Sequence, residues 1–589
     1  MDTILRFLVE ARRRSVFRSG GIYIVGAWVF IQVAQLALQS LEYPDSVLRY
    51  FWLVSIAGFP LALVFAWRYD ITAEGLRRTP PADVSEAVDP GLRAPDFILL
   101  TALLAIAVAM SVGVINEIRQ IDPVSVAATS TGANPNSLVI LPLRNVSGDP
   151  TQEYLSAGIH DSLISSLSRI RSLQVIARSS TRNLDRELGA KRIGSLLNVA
   201  NVLEGSVSRI EDRVRVSLNL IDAATDTSIW SKNYDGDFHD VQSVQEESMR
   251  AITTVIKGRL SSEDEQLLAS KADVRPDTYE AYLRGIFQLH KESPEGYKRG
   301  IAILTDAIDN DPSSALAHAA LAYGYGKLGH SPFPVDGAYE QSKNLALKAL
   351  SIDDSLPEAH LAVGMYKLYY EWDWIGAEYA LRRAIALNPN LADAHYHYAW
   401  MMELMGRGDE ALRAGEITRE LDPLDPFMLG WLADQYRSAG LYEKAIETAR
   451  EAIDINPQHP VAWLVLGFTY SEMGRHAEAI EAHQALQDNR FWKHAIGIVY
   501  ANAGMADEAA AVLEGLGTIK GFLTWRVLIL AAMKNDDEFF AALAEARSAR
   551  PPWFPWFICW FQQTRYLAGD PRMQAYAAEL NLQLKTDST

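Results

Sequence analysis

Residues 457–474 read PQHPVAWLVLGFTYSEMG. Trp463, Leu466, Gly467 and Tyr470 stand there at the W-x2-L-G-x2-Y spacing, which marks the first helix of a 34-residue helix–turn–helix unit. The period extends to both sides. Pro389, Pro423 and Pro457 are 34 residues apart, each behind an Asn or Asp that closes an apolar helical stretch. Gly406, Gly440 and Gly474 keep the interval, as do Ala411, Ala445 and Ala479. Small residues let the two helices of a unit approach closely, and proline stops the second helix before the next unit. Such a unit exposes an apolar face that only a neighbour covers, so several must stack. About six units are expected from near Thr278, with a degenerate capping end. They make an all-α solenoid over 272–589. The unit from Ser314 is stretched by HSPFPVDGA at 330–338, and the one from Ile498 to Ala509 is short.

The 589 residues suffice for several domains, because one core seldom serves more than about 250–300. A formal net charge of −18 argues against a general nucleic-acid binder, which needs a basic face. The single cysteine, Cys559, excludes an internal disulfide and a cysteine-based zinc site.

Three apolar runs precede the solenoid, at about 21–41, 48–67 and 97–115. Each approaches the roughly 20 residues that a helix needs to cross a bilayer. Arg6, Arg12, Arg13, Arg14 and Arg18 precede the first run, and Arg68, Arg77, Arg78 and Arg93 lie between the second and third. The loop EYPDSV at 42–47 has no basic residue, and just past the third run there is only Arg119. Basic residues stay on the cytoplasmic side. The expectation is three transmembrane helices within 20–116, a cytoplasmic N-terminus at 1–19, and everything beyond 117 on the far side. In a bacterium that is an inner-membrane protein with periplasmic C-terminal domains. Residues 117–136, rich in small and polar residues, are expected to form a linker.

From 137 to 262 the pattern is α/β. Leu138–Leu143 predicts a buried strand, and Leu155, Ile159, Leu163, Leu167 and Ile170 share one helical face. Leu173–Ala177 predicts a second strand. Val202–Ile210 and Arg213–Asp222 predict a hairpin turning at Glu211 and Asp212, and Ser228–Tyr234 a further strand. Val241, Val244, Ile252, Val255 and Ile256 mark a closing helix. The loop NVSGDP at 145–150 lacks the glycines and lysine of a phosphate cradle. It is read instead as a helix start, with Asp149 as cap, Pro150 first in the helix, and Gln152 completing a capping box.

ILPLRNVSGDPTQEYLSAGIHDSLISSLSRI (140–170), VIARSST (175–181) and VANVLEGSVSRIEDRVRVSLNLIDAATDTSIWSKNYD (199–235) closely resemble the TolB amino-terminal-like domain. That domain occurs in bacterial membrane proteins ending in tetratricopeptide (TPR) repeats, and ARRRSVFRSGGIYIVGAWVFIQVA (11–34) resembles the membrane module of the same group. Relatives in the group often carry a winged-helix or nucleotide-cyclase domain before the membrane; this sequence has neither. The resemblance supplies no catalytic residues and no cofactor. It implies concave-face positions on the first helices of the units: Tyr323, Met365, Tyr396, Trp400, Glu403, Asp434, Arg437, Phe468 and Glu472. Aromatics among carboxylates suit a peptide with apolar anchors and positive charge.

Three further patterns have bland readings. Asp235, Asp237 and Glu246 resemble a calcium loop, but Asp240 stands where the loop's sharp turn needs glycine. Asp240 is read as a helix cap. His318, His360 and His395 recur in register, like a metal ladder, at the place Trp463 fills in the best unit. Packing is the expected role, because no other ligands lie close by in sequence. Trp553, Trp556, Phe557, Trp560 and Phe561 are read as the core stripe of a terminal helix. No nucleophile–base pair, metal set or nucleotide loop points to an enzyme. The function expected is a membrane-anchored scaffold that binds proteins or peptides through its repeats. The runner-up is an envelope sensor that signals through its membrane helices to a separate output partner.

Overall fold

The computed structural model describes residues 69–72, 75–78 and 133–584, apart from 183, 185–187, 239, 240, 259–274, 332–334, 518, 552 and 561. The expected membrane segments, the N-terminus 1–19, most of the linker, and the His239 and Asp240 readings lie outside the described residues. Among the described residues no helix is long and apolar enough to cross a membrane. Residues 1–126 and 127–589 are two compact units. In the first, β1 (Tyr69–Thr72) and β2 (Gly75–Arg78) form an antiparallel hairpin with Tyr69 opposite Arg78.

The second unit opens with a six-stranded sheet. Its strands are β3 (Asn134–Ile140), β4 (Arg144–Asn145), β5 (Gln174–Val175), β6 (Val199–Ile210), β7 (Arg213–Asp222) and β8 (Thr227–Asp237). The order is β5-β3-β6-β7-β8, with β4 continuing beside β6. β3 runs parallel to β5 and β6, while β6, β7 and β8 are antiparallel. β3 starts at Asn134, within the stretch expected to be linker. Polar side chains hold that end: Asn201 Nδ2 donates to the Pro135 and Ser137 carbonyls, at 2.9 Å each, and Ser137 Oγ accepts from Ala200 N at 2.8 Å. The hairpin turns at Glu211 and Asp212, with Glu211 at φ +55°.

Helix α1 (Glu153–Ser168) covers one face of the sheet, burying Leu155, Ile159, Leu163 and Leu167 against Leu138, Ile140 and Leu203. A 3-10 turn, Pro150–Gln152, leads into it. Asp149 caps that turn by accepting from Thr151 N at 2.9 Å. The capping box is altered: Gln152 donates to the Asp149 carboxylate at 3.2 Å, and the Asp149 N–H goes to Ser147 Oγ. Two short helices, α2 (Arg178–Arg182) and α3 (Ala190–Leu197), were not among the expected elements, although Ala190, Ile193, Gly194 and Leu197 of α3 share one buried face. Ile193 and Leu197 of α3 pack on the other face, on Val139 and Val202. α4 (Val241–Lys257) buries Val241, Met249 and Ile252, whereas Val255, expected inside, is exposed.

The solenoid follows as antiparallel helix pairs: α5 (Pro276–Leu289) with α6 (Pro294–Asn310), α7 (Ala315–Gly329) with α8 (Ala338–Ile352), and α9 (Pro357–Tyr366) with α10 (Trp374–Leu387). Then come α11 (Ala392–Leu404) with α12 (Gly408–Leu421), α13 (Pro426–Ser438) with α14 (Tyr442–Ile455), and α15 (Pro460–Glu472) with α16 (His476–Gln484). The chain continues through α17 (Ile496–Asn502), α18 (Ala506–Leu516), α19 (Leu523–Ala532), α20 (Asp536–Ala549), α21 (Phe554–Trp560) and α22 (Pro571–Glu579). Gly406, Gly440 and Gly474 do not serve close approach, as the sequence suggested. They have φ of +74°, +76° and +74°, with open space where a Cβ would stand at Gly440 and Gly474, so they supply the left-handed turn between paired helices. Ala411, Ala445 and Ala479 do lie in the helix contact, at 0–2 % exposure.

The α/β domain is fastened to the solenoid along the inter-unit loops. At Gly158 of α1 an added Cβ would lie 2.8 Å from Leu283 of α5, so that contact admits only glycine without a shift. Asp161 is gripped by His290 of α5 at 2.9 Å and Arg178 of α2 at 2.6 Å. Burial opposes its charge, but His290, His160 and Arg178 prevail and hold the carboxyl well below the ordinary aspartate range. Farther along, Asn390 donates to the Ser168 and Leu173 carbonyls at 2.8 and 2.9 Å and accepts from Val175 N at 3.2 Å. Ala177 N reaches the Leu421 carbonyl at 2.8 Å, and Ser179 and Ser180 donate to Asp422. The β5 edge of the sheet is therefore sealed by loops of the repeats. Asn390→Ala would strand these buried groups, each costing about 1–3 kcal/mol. We expect the urea midpoint to fall accordingly and protease cleavage between the α/β domain and the solenoid to quicken.

Candidate functional site

The nine concave-face positions all fall on first helices: Tyr323 on α7, Met365 on α9, Tyr396, Trp400 and Glu403 on α11, Asp434 and Arg437 on α13, and Phe468 and Glu472 on α15. Local sequence explains this. Ala, Gly and aromatic residues dominate these helices, so they pack on both sides and show little amphipathic character. The open groove inferred for these positions needs correcting. Met365, Tyr396, Trp400, Glu403, Asp434, Arg437 and Phe468 are 2–4 % exposed, and the Glu472 side chain is 4 % exposed. Only Tyr323 is half-buried. The physical reason is enclosure by neighbouring side chains and by the C-terminal segment: Phe468 lies against His483 of its own unit, and Trp400 shares an apolar space with Trp553 and Pro555.

A closed circuit of rings shows the filling. Tyr396 meets Trp400 at 6.1 Å and Trp400 meets Trp431 at 4.6 Å. Trp431 reaches Trp492 at 6.1 Å, and Trp492 reaches Trp553 at 6.3 Å. Trp553 stands on His330 at 5.4 Å, His330 on His397 at 5.6 Å, and His397 on Tyr396 at 4.8 Å. The circuit joins α7 to the start of α21, across most of the solenoid. Trp374 of α10 donates to the Leu580 carbonyl at 2.6 Å, beyond α22. In α21, Phe554, Ile558 and Cys559 are buried. Of the expected stripe, Trp553 is half-buried, while the side chains of Trp556, Phe557 and Trp560 and the whole of Phe561 lie outside the described residues; Phe554 and Ile558 face the core instead. Sequence reasoning missed His330, Trp431, Trp492 and Trp553 as linked groups, because nothing local ties positions so distant.

The buried charges beside the circuit are Glu403, Asp434, Arg437 and Glu472. Arg437 Nε donates to Asp434 Oδ1 at 2.7 Å and its Nη1 to Glu472. Burial works against the guanidinium charge, but Asp434, Glu472 and Glu403 outweigh it and raise the pKa above its ordinary value. Three carboxylates face one arginine, and Asp434 Oδ2 is buried without a hydrogen-bond partner. At the half-open mouth, Lys327 lies 3.8 Å from Asp393 and over the Tyr323 ring, with Phe427 and His459 in edge contact nearby. Acidic charge exceeds basic charge along this face.

The histidines in register do not gather a metal, and among the described residues no cluster of three or more His, Cys, Asp or Glu is arranged to hold one. Instead they pin the loops between units. His360 Nε2 contacts the Asp354 carbonyl and His395 Nε2 the Pro389 carbonyl, both at 2.9 Å, as Trp463 Nε1 does Pro457 at 2.8 Å. His318 uses Nδ1 on Ser314. His318 and His395 are buried, and His360 half-exposed. A cleft of about 510 Å³ at the α/β junction is satisfied internally, since Tyr154, Arg209 and Arg284 all bond Glu280.

The architecture defines the class: a TPR-type solenoid preceded by an α/β domain. The comparisons agree on the repeats. The family model for anaphase-promoting complex, cyclosome, subunit 3 matches residues 405–486. A putative adenylate cyclase 3 of Rhizobium meliloti is 31 % identical over 268 residues, 42 % of this chain and 43 % of its own length. The transcriptional regulator HilA of Salmonella typhimurium is 28 % identical over 148 residues, 25 % of this chain and 27 % of its own. The TPR repeat-containing protein YpiA of Bacillus subtilis is 30 % identical over 116 residues, 20 % of this chain and 27 % of its own. The chain spans less than half the length of these relatives. Among solved structures, YrrB, described as a TPR protein with an unusual peptide-binding site, is 24 % identical, with a TM-score of 0.24, covering 34 % of this chain and 96 % of its own. The fold is one that binds proteins or peptides on its helical surfaces.

Burial depresses the His395 pKa to about 4. An unfolded histidine titrates near 6.5, so the unfolded chain takes up the proton first and stability is lost as pH falls from about 6.5 to 4. His395 then contributes a loss of about 2 kcal/mol between pH 7 and pH 5. Urea titrations at the two pH values should show a smaller loss for His395→Gln than for the natural chain.

Proposed function

We propose that this chain is a non-enzymatic scaffold, anchored in a bacterial inner membrane, that recruits protein partners on the periplasmic side through the concave face of its repeats. The observation that carries the reading is the composition of that face. Aromatic rings line it from α7 to α15, and carboxylates outnumber cations. A surface of this kind suits a peptide with apolar anchors and positive charge. The membrane part rests on the apolar runs at about 21–41, 48–67 and 97–115 and on the arginines that flank them. The resemblance of 137–260 to the TolB amino-terminal-like domain supports the same setting.

A second reading is a sensor that signals through the membrane segments to a separate partner. One observation favours it: parts of the chain are shared with relatives named as a putative adenylate cyclase and a transcriptional regulator. That pattern is what one input module joined to different outputs produces. Stable co-purification of a separately encoded output protein would move the weight to this reading.

A photoreactive residue in place of Tyr323, at the half-open mouth, tests the scaffold in living cells. Glu447, exposed on α14, is the control. The expected outcome is capture of a defined envelope protein from position 323 alone. Capture of a cytoplasmic protein would overturn the topology, and equal capture at both positions would overturn the concave site.

A further inference from the structure

The segment that fills the concave face has its own chemistry. Residues 550–555 are Arg-Pro-Pro-Trp-Phe-Pro. Arg550 ends α20 at φ +47°, a left-handed conformation that non-glycine residues seldom adopt, and it turns the chain away from the helix. Its guanidinium lies 4.4 Å from the Trp372 ring centroid and donates to the Glu371 carbonyl at 3.4 Å. Trp553 is nearly parallel to Trp492, at 19°, and edge-on to His330 at 83°. Its indole nitrogen donates to His330 Nδ1 at 3.4 Å. Phe554 is wholly buried. Pro555 shares a small apolar space with Trp374, Trp400 and Leu404. α21 packs on both α11 and α19, which belong to units far apart, so the segment crosses the concavity.

We propose that Arg550, Trp553, Phe554 and Pro555 act as an internal ligand of the concave face, and that an outside partner presents the same chemistry, a cation beside tryptophan and proline, and binds by displacing them. This rests on the scaffold reading above. Arg550 lies on the Trp372 ring in the turn before α10, while Trp553 stands between two rings and Pro555 lies against apolar walls. Cation–π attraction and ring burial both reward a basic, aromatic peptide. Burial, with His397 and Lys327 nearby, holds the His330 pKa well below the ordinary histidine value. Proline limits the conformations that a free peptide must give up on binding.

The test uses the full chain, its Trp553→Ala and Arg550→Ala variants, and a fluorescein-labelled peptide of residues 548–558, followed by anisotropy. Thermal melts by circular dichroism check folding. The peptide should bind Trp553→Ala at least ten-fold more tightly than the natural chain, and Arg550→Ala should lie between. A peptide with alanine in place of its first tryptophan should bind neither variant. A folded Trp553→Ala chain that gains no affinity overturns the proposal. If Trp553→Ala does not fold, Arg550→Ala decides: no gain there overturns it too. Peptide binding that follows the expected order while position 323 captures no partner keeps the internal ligand and removes the scaffold. Capture at 323 that Trp553→Ala leaves unchanged does the reverse.

Discussion

Asn390 is a central link among those that join the α/β domain to the solenoid. Its Nδ2 donates to the carbonyls of Ser168 and Leu173, and its Oδ1 accepts from the Val175 N–H. A sheet edge ordinarily leaves such groups to water or to another strand. Here they are buried by a loop whose position the 34-residue period dictates, just behind Pro389. Asp422 occupies the next loop in register and meets Ser179 and Ser180. The α/β domain therefore reads the spacing of the repeats: a change in unit length between 388 and 424 would pull the two contacts out of register.

The repeats also constrain themselves. A stack of helix pairs is held by neighbours alone, and its ends are free to move unless something spans them. The ring circuit from His330 through Trp553 provides that span. It makes Trp492, in an irregular stretch before α17, as central to the fold as Trp400 in a well-formed unit. Burial of Glu403, Asp434 and Glu472 around Arg437 belongs to the same closure. These groups would be hydrated on an open face; enclosed, Asp434 and Glu472 are held by Arg437.

Much of this was legible in the sequence, because it is local. The 34-residue interval, the hairpin at Glu211 and Asp212, and the helix face of Leu155, Ile159, Leu163 and Leu167 follow from periodicity and turn chemistry. Misreadings came where two physical uses share one residue type. Gly406 serves backbone conformation rather than close contact, and Asn134 looks like linker until Asn201 and Ser137 pair the neighbouring backbone. The concave residues were placed on the right helices, but the space beside Trp400 is filled by Trp553 and Pro555, about 150 residues farther along the chain. No periodicity connects Trp400 with Trp553, so solvent access there could not be read from pattern alone.

The sheet has one edge sealed by the repeats at β5 and one, β8, that bears no further strand among the described residues. Its eleven residues alternate between an exposed face, with Ile229, Ser231, Asn233 and Asp235, and a covered one. A sheet with two open edges can polymerise without limit. A sheet with one can pair with a single strand or a single copy and then stops. Within this sheet the docking that orients the α/β domain leaves β8 as the edge where a further strand could add.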